Sequence, residues 1–186
     1  MMKAYIFLAT GFEEIEAVSV IDVLRRADVE VEVIAIPEED DEYWVEGAHG
    51  ISVFGDNNFE DADFSDGDIL ILPGGQPGTD NLNANKDLKK LILQYHEQGK
   101  YIAAICAAPL VLGGLGLLKG KRAVCYPGYE KQLVGAEIAT DERVVIDGKI
   151  ITSKGPGTAI EFGLVLVELL VGKEVAEKLK NGMIVG

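Results

Sequence analysis

Cys106 lies in the stretch "AAICAAPL", residues 103–110, between an apolar run and a series of small residues. This is the layout of a nucleophile elbow, in which a buried strand, a sharp turn that carries the nucleophile and a helix follow one another. Ala104 and Ala108 are small enough for that strand and helix to cross closely. Because a helix N-terminus stabilises a thiolate, the pattern predicts a lowered pKa for the Cys106 thiol. The alternative is a small buried side chain, a common role for an unpaired cysteine.

Two further stretches follow predicted strands and carry groups that a thiol enzyme could use. "ILPGGQPGT" places Gly74 and Gly75 after a buried strand, where N–H groups without a neighbouring Cβ could form an oxyanion hole; a plain tight turn is the alternative. "GFEEIEAV" places three glutamates at a strand-to-helix junction, and Glu14 falls on the polar side of the helix. Glu16 falls in the apolar arc and Glu13 falls near it, so either is a candidate for a buried acid with a raised pKa.

Short β-branched and aliphatic runs alternate with helical segments along the chain. The pattern predicts an α/β fold with a mainly parallel sheet and helices on both faces, its strands at residues 4–9, 29–36, 68–73, 101–105 and 149–153. Residues 15–27 and 87–98 have the periodicity of amphipathic helices. Because ligands bind at the carboxyl ends of parallel strands, we expect the cysteine, the glycine pair and the glutamates to meet in one cleft.

Smaller local patterns predict the remaining connections. Residues 44–56 and 143–153 are predicted to form accessory β-hairpins, the second turning at Asp147-Gly148. Thr158 and Glu161 have the spacing of a capping box at the start of an apolar helix. These patterns position the elements and carry no chemistry of their own.

Composition limits the classes of function. A chain of 186 residues without an internal repeat or linker suits a single domain over residues 1–186. A net charge of −14 argues against nucleic acid as a partner, and the acidic run "EEDDE" at 38–42 is interpreted as a solvated loop. The sequence has no apolar stretch long enough for a membrane helix and no signal-peptide pattern, so we expect no membrane partner and a cytoplasmic location. Both cysteines are then expected to be reduced.

Metal and cofactor sites are not expected. His49 and His96 have no second imidazole or paired cysteine at ligand spacing, and His96 is predicted to be a surface residue. The glycine-rich loops contain neither a dinucleotide fingerprint nor a P-loop lysine, which argues against a flavodoxin-like cofactor binder. Cys125 lies in a short apolar run without a following helix, and we predict a structural role for it.

The assembled motifs resemble the ThiJ/PfpI superfamily, in the branch of the parkinsonism-associated deglycase. The matching stretches extend over about residues 3–180 and are "GFEEIEAVSVIDVLRRA", "LPGGQPGTDNL", "AAICAAPLVL" and "TSKGPGTAIEFGLVLVELLVGKEVA". The resemblance implies a flavodoxin-like three-layer sandwich that is usually a homodimer. It also implies that Cys106 is the nucleophile, that Glu16 is its protonated partner, and that Gly75 and Ala107 donate the oxyanion-hole N–H groups.

Two positions depart from patterns found among the relatives. Tyr126 occupies a position at which many of them carry a histidine, so proton transfer is left to Cys106 and Glu16, and the Tyr126 hydroxyl is expected to orient the substrate. Ala107 follows the cysteine where protease-like members have histidine, which argues against a peptidase dyad.

Two functions are consistent with these residues. The leading hypothesis is a cofactor-independent cysteine enzyme for small aldehydes or glycated substrates, either a glyoxalase that converts methylglyoxal to lactate or a deglycase, with Gly74 beside the substrate. The alternative is an oxidative-stress redox sensor or chaperone-like protein that uses Cys106 oxidation and has no dedicated metabolic substrate.

Overall fold

A computed structural model describes residues 2–36 and 43–186, so the acidic run at 38–42 lies outside the described residues. The strands are β1 (Lys3–Ala9), β2 (Glu30–Ile36), β3 (Trp44–Glu46), β4 (Ser52–Phe54), β5 (Asn57–Asn58), β6 (Ile69–Leu72), β7 (Tyr101–Ile105), β8 (Arg122–Ala123), β9 (Glu137–Ile138), β10 (Val144–Asp147) and β11 (Ile150–Ser153). The helices are α1 (Glu14–Arg26), α2 (Gly78–Ala84), α3 (Lys86–Glu97), α4 (Pro109–Gly114), α5 (Ala159–Leu170) and α6 (Lys173–Gly182), with 3₁₀ turns at Glu130–Gln132 and Pro156–Thr158.

The described residues form a seven-stranded sheet in the order β10-β11-β7-β6-β1-β2-β5. Its strands are parallel except for β10, which pairs antiparallel with β11. The chain runs from β1 to β2 on one side and later returns to β6 on the other side of β1. This reversal creates a crevice at the carboxyl ends of the central strands, where open α/β sheets bind ligands.

The sheet separates two apolar cores, because successive side chains of a strand point to opposite faces. Ala4, Ile6 and Leu8 of β1 pack with α1 and α5 on one face. Tyr5 and Phe7 of the same strand pack with α3 and α4 on the other face. The result is the predicted three-layer α/β sandwich, and the five predicted strand runs and two predicted helices are confirmed with boundary shifts of at most one residue.

Both predicted hairpins form, but the second one is part of the main sheet and its turn lies one residue later than predicted. Strands β3 and β4 pair as a separate two-stranded sheet. The second hairpin belongs to the main sheet, because β11 pairs with β7. Its predicted turn at Asp147-Gly148 is wrong by one residue: Asp147 pairs with Ile150, so Gly148 and Lys149 form the turn. Only Gly148 of these two has a positive φ, +63°.

The predicted capping box at the start of α5 is also wrong. The Thr158 hydroxyl donates to the Gly155 carbonyl at 2.8 Å and lies 2.7 Å from the Ser153 hydroxyl. The Glu161 carboxylate pairs with Arg143 at 2.6 Å instead of returning to the helix N-terminus. Thr158 thus bonds to residues that precede it, and Glu161 bonds to Arg143, 18 residues earlier in the chain.

No helix within residues 2–36 and 43–186 combines the length and the hydrophobicity that crossing a bilayer would require.

Candidate active site

The carboxyl ends of β1, β6 and β7 meet at one edge of the sheet. These strands are neighbours in the order β7-β6-β1. The first leads into the glutamate-bearing start of α1, the second into Gly74 and Gly75, and the third into Cys106. The predicted convergence of the three motifs is therefore observed.

Cys106 occupies a left-handed backbone conformation with φ +65°. For a residue with a Cβ, this conformation costs about 1–2 kcal/mol, so the surrounding structure must impose it. Backbone hydrogen bonds provide the constraint: the Cys106 N–H donates to the Ser153 carbonyl at 2.9 Å, and the Tyr126 N–H donates to the Cys106 carbonyl at 2.8 Å. The turn leaves the side chain half-buried rather than enclosed in the core.

Glu16 is fully buried at the first turn of α1. Its Oε2 atom accepts a hydrogen bond from the Gly74 N–H at 2.8 Å, whereas Oε1 has no hydrogen-bond partner among the described residues. Burial raises the pKa of Glu16 to about 7, and the nearby charge of Glu13 acts in the same direction. Of the two acids left open by the sequence pattern, Glu16 is the one that lies against Cys106.

Two backbone N–H groups face the Cys106 sulfur, those of Gly75 and Ala107. Gly75 has φ +93°, and a Cβ there would lie 2.3 Å from the Glu13 nitrogen, so both conformation and space require glycine. Two donors that converge beside a sulfur atom can also bind an oxygen on a carbon attached to that sulfur. These two N–H groups are the donors predicted for an oxyanion hole, and that role stays a prediction.

The predicted lowering of the Cys106 pKa is wrong. Burial raises the pKa of this thiol to about 12, and the charge of Glu16 and its hydrogen bond to the thiol add to the effect. The N–H groups of Gly75 and Ala107 oppose the shift and do not overcome it. Because the thiol and the carboxyl interact this closely, they titrate as a coupled pair rather than as independent groups.

Tyr126 lies at the rim of the site, with 46% of its surface exposed. A Cβ on Gly155 would lie 3.1 Å from Tyr126 Cδ2 and 3.9 Å from Glu16 Oε1, so all three residues border one small space. The unpartnered oxygen of Glu16 is thus near the part of the site that opens past Tyr126.

Glu14 is a buried residue that the sequence pattern placed on the polar side of α1. It is 6% exposed, because residues 47–51 fold over the start of the helix. Glu14 Oε1 accepts the backbone N–H of His49 at 2.7 Å, and Oε2 lies 2.8 Å from His49 Nδ1. Burial opposes ionisation of Glu14, but the hydrogen bonds from His49 and Ile51 lower its pKa.

Glu13, Glu14 and His49 form a group that sequence reasoning missed. Their ligand-type atoms lie within 4.8 Å of one another. Glu13 and Glu14 are adjacent in the chain, but His49 is 35 residues beyond Glu14, and the fold of the β3–β4 hairpin over α1 brings it to them. The contacts of His49 and Ile51 with the Glu14 carboxylate explain this group, because they anchor the hairpin to the start of α1.

The other cysteine and histidine lie away from this constellation. Cys125 is 3% exposed within the apolar core, as predicted, and burial raises its pKa to about 11. His96 is exposed near the end of α3, as predicted.

The sequence matches the DJ-1/PfpI family over residues 2–169. It is 42% identical over 183 residues to Protein DJ-1 homolog B of Arabidopsis thaliana, covering 98% of this chain and 41% of that protein. The chain spans less than half the length of the Arabidopsis relatives DJ-1 homologs A and B. It is 36% identical over 167 residues to the glutathione-independent glyoxalase DJR-1.2 of Caenorhabditis elegans, covering 90% of this chain and 87% of that protein.

Solved structures agree with these relationships. The crystal structure of Drosophila melanogaster DJ-1beta superposes with a TM-score of 0.93 at 35% identity, covering 100% of this chain and 98% of that one. The structure of oxidized Toxoplasma gondii DJ-1 gives 0.90 at 39% identity, covering 99% and 98%.

Proposed function

Because this chain belongs to the DJ-1/PfpI family, we propose that it is a cofactor-independent cysteine enzyme that converts methylglyoxal to lactate. The observation that carries the proposal is the convergence on Cys106 of a buried carboxyl, from Glu16, and two backbone donors, from Gly75 and Ala107. The name of the worm relative, a glutathione-independent glyoxalase, supports the same class of reaction.

The reaction begins with addition of the thiol to the aldehyde carbon. The Cys106 sulfur forms a bond to this carbon, and its proton passes to the Glu16 carboxylate. The aldehyde oxygen becomes an oxyanion held by the N–H groups of Gly75 and Ala107. Protonation of that oxygen by Glu16 gives a hemithioacetal and returns Glu16 to the carboxylate.

The next steps move a proton between neighbouring carbons. Glu16 removes the hydrogen from the former aldehyde carbon to give an enediol, and then returns a proton to the adjacent carbon. The product is a lactyl thioester, which has the same oxidation level as the hemithioacetal. Water hydrolyses the thioester, releases lactate and restores the Cys106 thiol, so the overall reaction consumes one water molecule.

The same addition step would operate on early glycated groups. In this deglycase version, Cys106 displaces the amine or thiol from the carbon that carries it, and the amine or thiol leaves with the proton of the Cys106 thiol. The resulting Cys106 hemithioacetal passes through the same enediol to the lactyl thioester, which water hydrolyses. Assays with α-oxoaldehydes and with glycated thiols therefore test the two versions with one enzyme.

The decisive experiment compares wild type, Cys106→Ser and Cys125→Ala for lactate formation from methylglyoxal. We expect Cys106→Ser to lose at least about a thousandfold in turnover because covalent catalysis is removed. Cys125→Ala, which removes the buried second thiol, should keep activity near the wild-type rate. A folded Cys106→Ser variant with substantial turnover would end the proposal.

Redox sensing at Cys106 is a second candidate, favoured by the unpartnered Oε1 of Glu16 and by the half-buried sulfur. One of the similar structures is of an oxidized DJ-1 protein. Two molecules of peroxide would convert the thiolate to a sulfinate and yield two molecules of water. A protonated Glu16 could then donate to a sulfinate oxygen.

Intact mass after mild peroxide treatment tests this candidate. We expect an added mass of two oxygens in wild type and Cys125→Ala, and no addition in Cys106→Ser. An unchanged wild-type mass would exclude sensing through Cys106.

A further inference from the structure

A shallow depression of about 190 Å³ adjoins the candidate active site and has an unusual charge. Its lining is Tyr126, Pro127, Arg143, Lys154, Gly155, Pro156, Gly157 and Thr158. Two of these residues are basic and none is acidic, in a chain with 31 acidic and 17 basic residues. The depression is thus a positively charged patch on a negatively charged protein.

The depression is connected to the reactive cysteine through shared residues. Lys154 directly follows Ser153, whose carbonyl accepts the Cys106 N–H at 2.9 Å. Tyr126 lines the depression, and its own N–H donates to the Cys106 carbonyl. Gly155 separates the depression from Glu16 Oε1, the buried oxygen without a partner. A substrate bonded to the sulfur could therefore extend across Gly155 into the depression.

The two cationic side chains of the depression differ in whether a carboxylate neutralises them. Arg143 pairs with the Glu161 carboxylate and donates to the Gly157 carbonyl at 2.8 Å, so its charge is compensated and its position is held. Lys154 donates to the Thr140 carbonyl and forms no ion pair within the part of the chain that the structure describes. Lys154 is therefore the cation left to attract a ligand.

We propose that Lys154 binds an anionic group, a carboxylate or a phosphate, on the part of the substrate that is remote from the reacting carbonyl. The preferred substrates would then be α-oxoaldehydes that carry a negative charge. This inference rests on the proposed function for the identity of the substrate, but the charge preference of the site can be measured without turnover.

Alkylation of Cys106 by iodoacetate and by iodoacetamide provides that measurement. The two reagents are similar in size and differ in charge, so the ratio of their rates removes effects of the thiol pKa. We expect Lys154→Gln to lower the iodoacetate-to-iodoacetamide ratio about three- to tenfold, and Lys154→Arg to preserve it. Each reaction is carried out in the Cys125→Ala background, so that only Cys106 is modified.

Lys149→Gln is the matched control. Lys149 precedes β11 and Lys154 follows it, so the two lysines are separated by the length of the strand, about 17 Å. Both substitutions remove one positive charge, but only Lys154 lines the depression. An unchanged ratio in Lys154→Gln, or an equal decrease in Lys149→Gln, would overturn the proposal.

Competition distinguishes the two anionic groups. Inorganic phosphate and acetate are each added to the iodoacetamide reaction, and protection that depends on Lys154 identifies the preferred group. If neither phosphate nor acetate slows the alkylation of Cys106, even at about 50 times the concentration of iodoacetamide, the result would contradict an anion site.

Turnover then links the subsite to the reaction. Wild type should convert the anionic aldehyde 4,5-dioxopentanoate to 2-hydroxyglutarate. Its kcat/KM for this substrate should be higher than for the neutral aldehyde 2-oxopentanal, and Lys154→Gln should lose this preference. If wild type converts neither aldehyde, the proposed glyoxalase function fails, while the alkylation ratio still decides the subsite.

Discussion

Glu16 and Cys106 both border the space that a side chain at Gly74 would occupy. A Cβ on Gly74 would lie 2.7 Å from Glu16 Oε2 and 3.0 Å from Cys106 Sγ. Real Cβ atoms are almost never found closer than 3.0 Å to such neighbours. The approach of the carboxyl to the sulfur therefore depends on the absence of a side chain at this position.

Gly74→Ala is expected to reduce activity and stability together. The new methyl group would also lie 2.5 Å from Cys106 Cβ, and relief requires movement of the elbow or of Glu16. We expect a loss of about 1–3 kcal/mol in the free energy of unfolding, measured by urea denaturation, and a large fall in Cys106 alkylation rate. Gly114→Ala is the control, because a Cβ at Gly114 meets no atom within 4 Å. Equal behaviour of the two variants would contradict the packing argument.

The alkylation rate of Cys106 should increase as the pH rises through about 7. In this range Glu16 loses its proton and becomes able to accept the thiol proton during attack. In Glu16→Gln the inflection near pH 7 should disappear, and the thiol should titrate at a lower pH than the wild-type value of about 12, because the neighbouring charge is gone. Rates with iodoacetamide from pH 5 to pH 10 measure the inflection, which lies within this range. An inflection near pH 7 that persists in Glu16→Gln would assign it to another group.

Glu16 should also make stability depend on pH. Its pKa is raised from 4.5 to about 7 on folding, so the folded state binds more protons than the unfolded state between these values. The free energy of unfolding contributed by Glu16 is therefore fully present below pH 4.5 and is lost as the pH rises to 7, by about 3 kcal/mol. The difference in stability between wild type and Glu16→Gln, measured by urea denaturation at pH 4.5 and pH 8, should change by this amount in favour of the variant. A constant difference would show that folding does not raise the Glu16 pKa.

The resemblance to the family also predicts a homodimer, with one face of the molecule available for it. Ile15 and Val18 of α1 and Ile160 of α5 are 56%, 46% and 39% exposed. Ile15 and Ile160 line the same groove, of about 650 Å³. We expect the wild type to have the mass of a dimer in light scattering and Ile15→Glu to shift it toward the monomer, whereas Ile184→Glu, at a 92% exposed position, should not. A monomeric wild type would contradict the prediction.

The elements of the fold could be predicted because their signals are local. The apolar runs of β1 and β7 are continuous, as buried parallel strands require. The phase of α1 places Glu16 on the buried side, and the structure agrees. The small residues around Cys106 predicted a tight turn, which its positive φ confirms.

The features that were missed depend on contacts between distant segments. Glu14 lies on the predicted polar side of α1 and is buried only because the hairpin at 47–51 covers it. Glu161 has the spacing of a capping residue, but its carboxylate pairs with Arg143, the residue directly before β10. The Cys106 pKa depends on the depth of the sulfur and on Glu16, which is 90 residues away in sequence and which outweighs the local helix terminus.

The reactive turn is held by main-chain hydrogen bonds, from the Cys106 N–H to the Ser153 carbonyl and from the Tyr126 N–H to the Cys106 carbonyl. Neither bond involves the side chain of Tyr126 or that of Lys154, the residue after Ser153. Both side chains can therefore be varied while the two bonds continue to hold the cysteine in position. Randomised libraries at these two codons should therefore yield variants with retained thiol reactivity and redirected selectivity, which makes the scaffold a starting point for directed evolution.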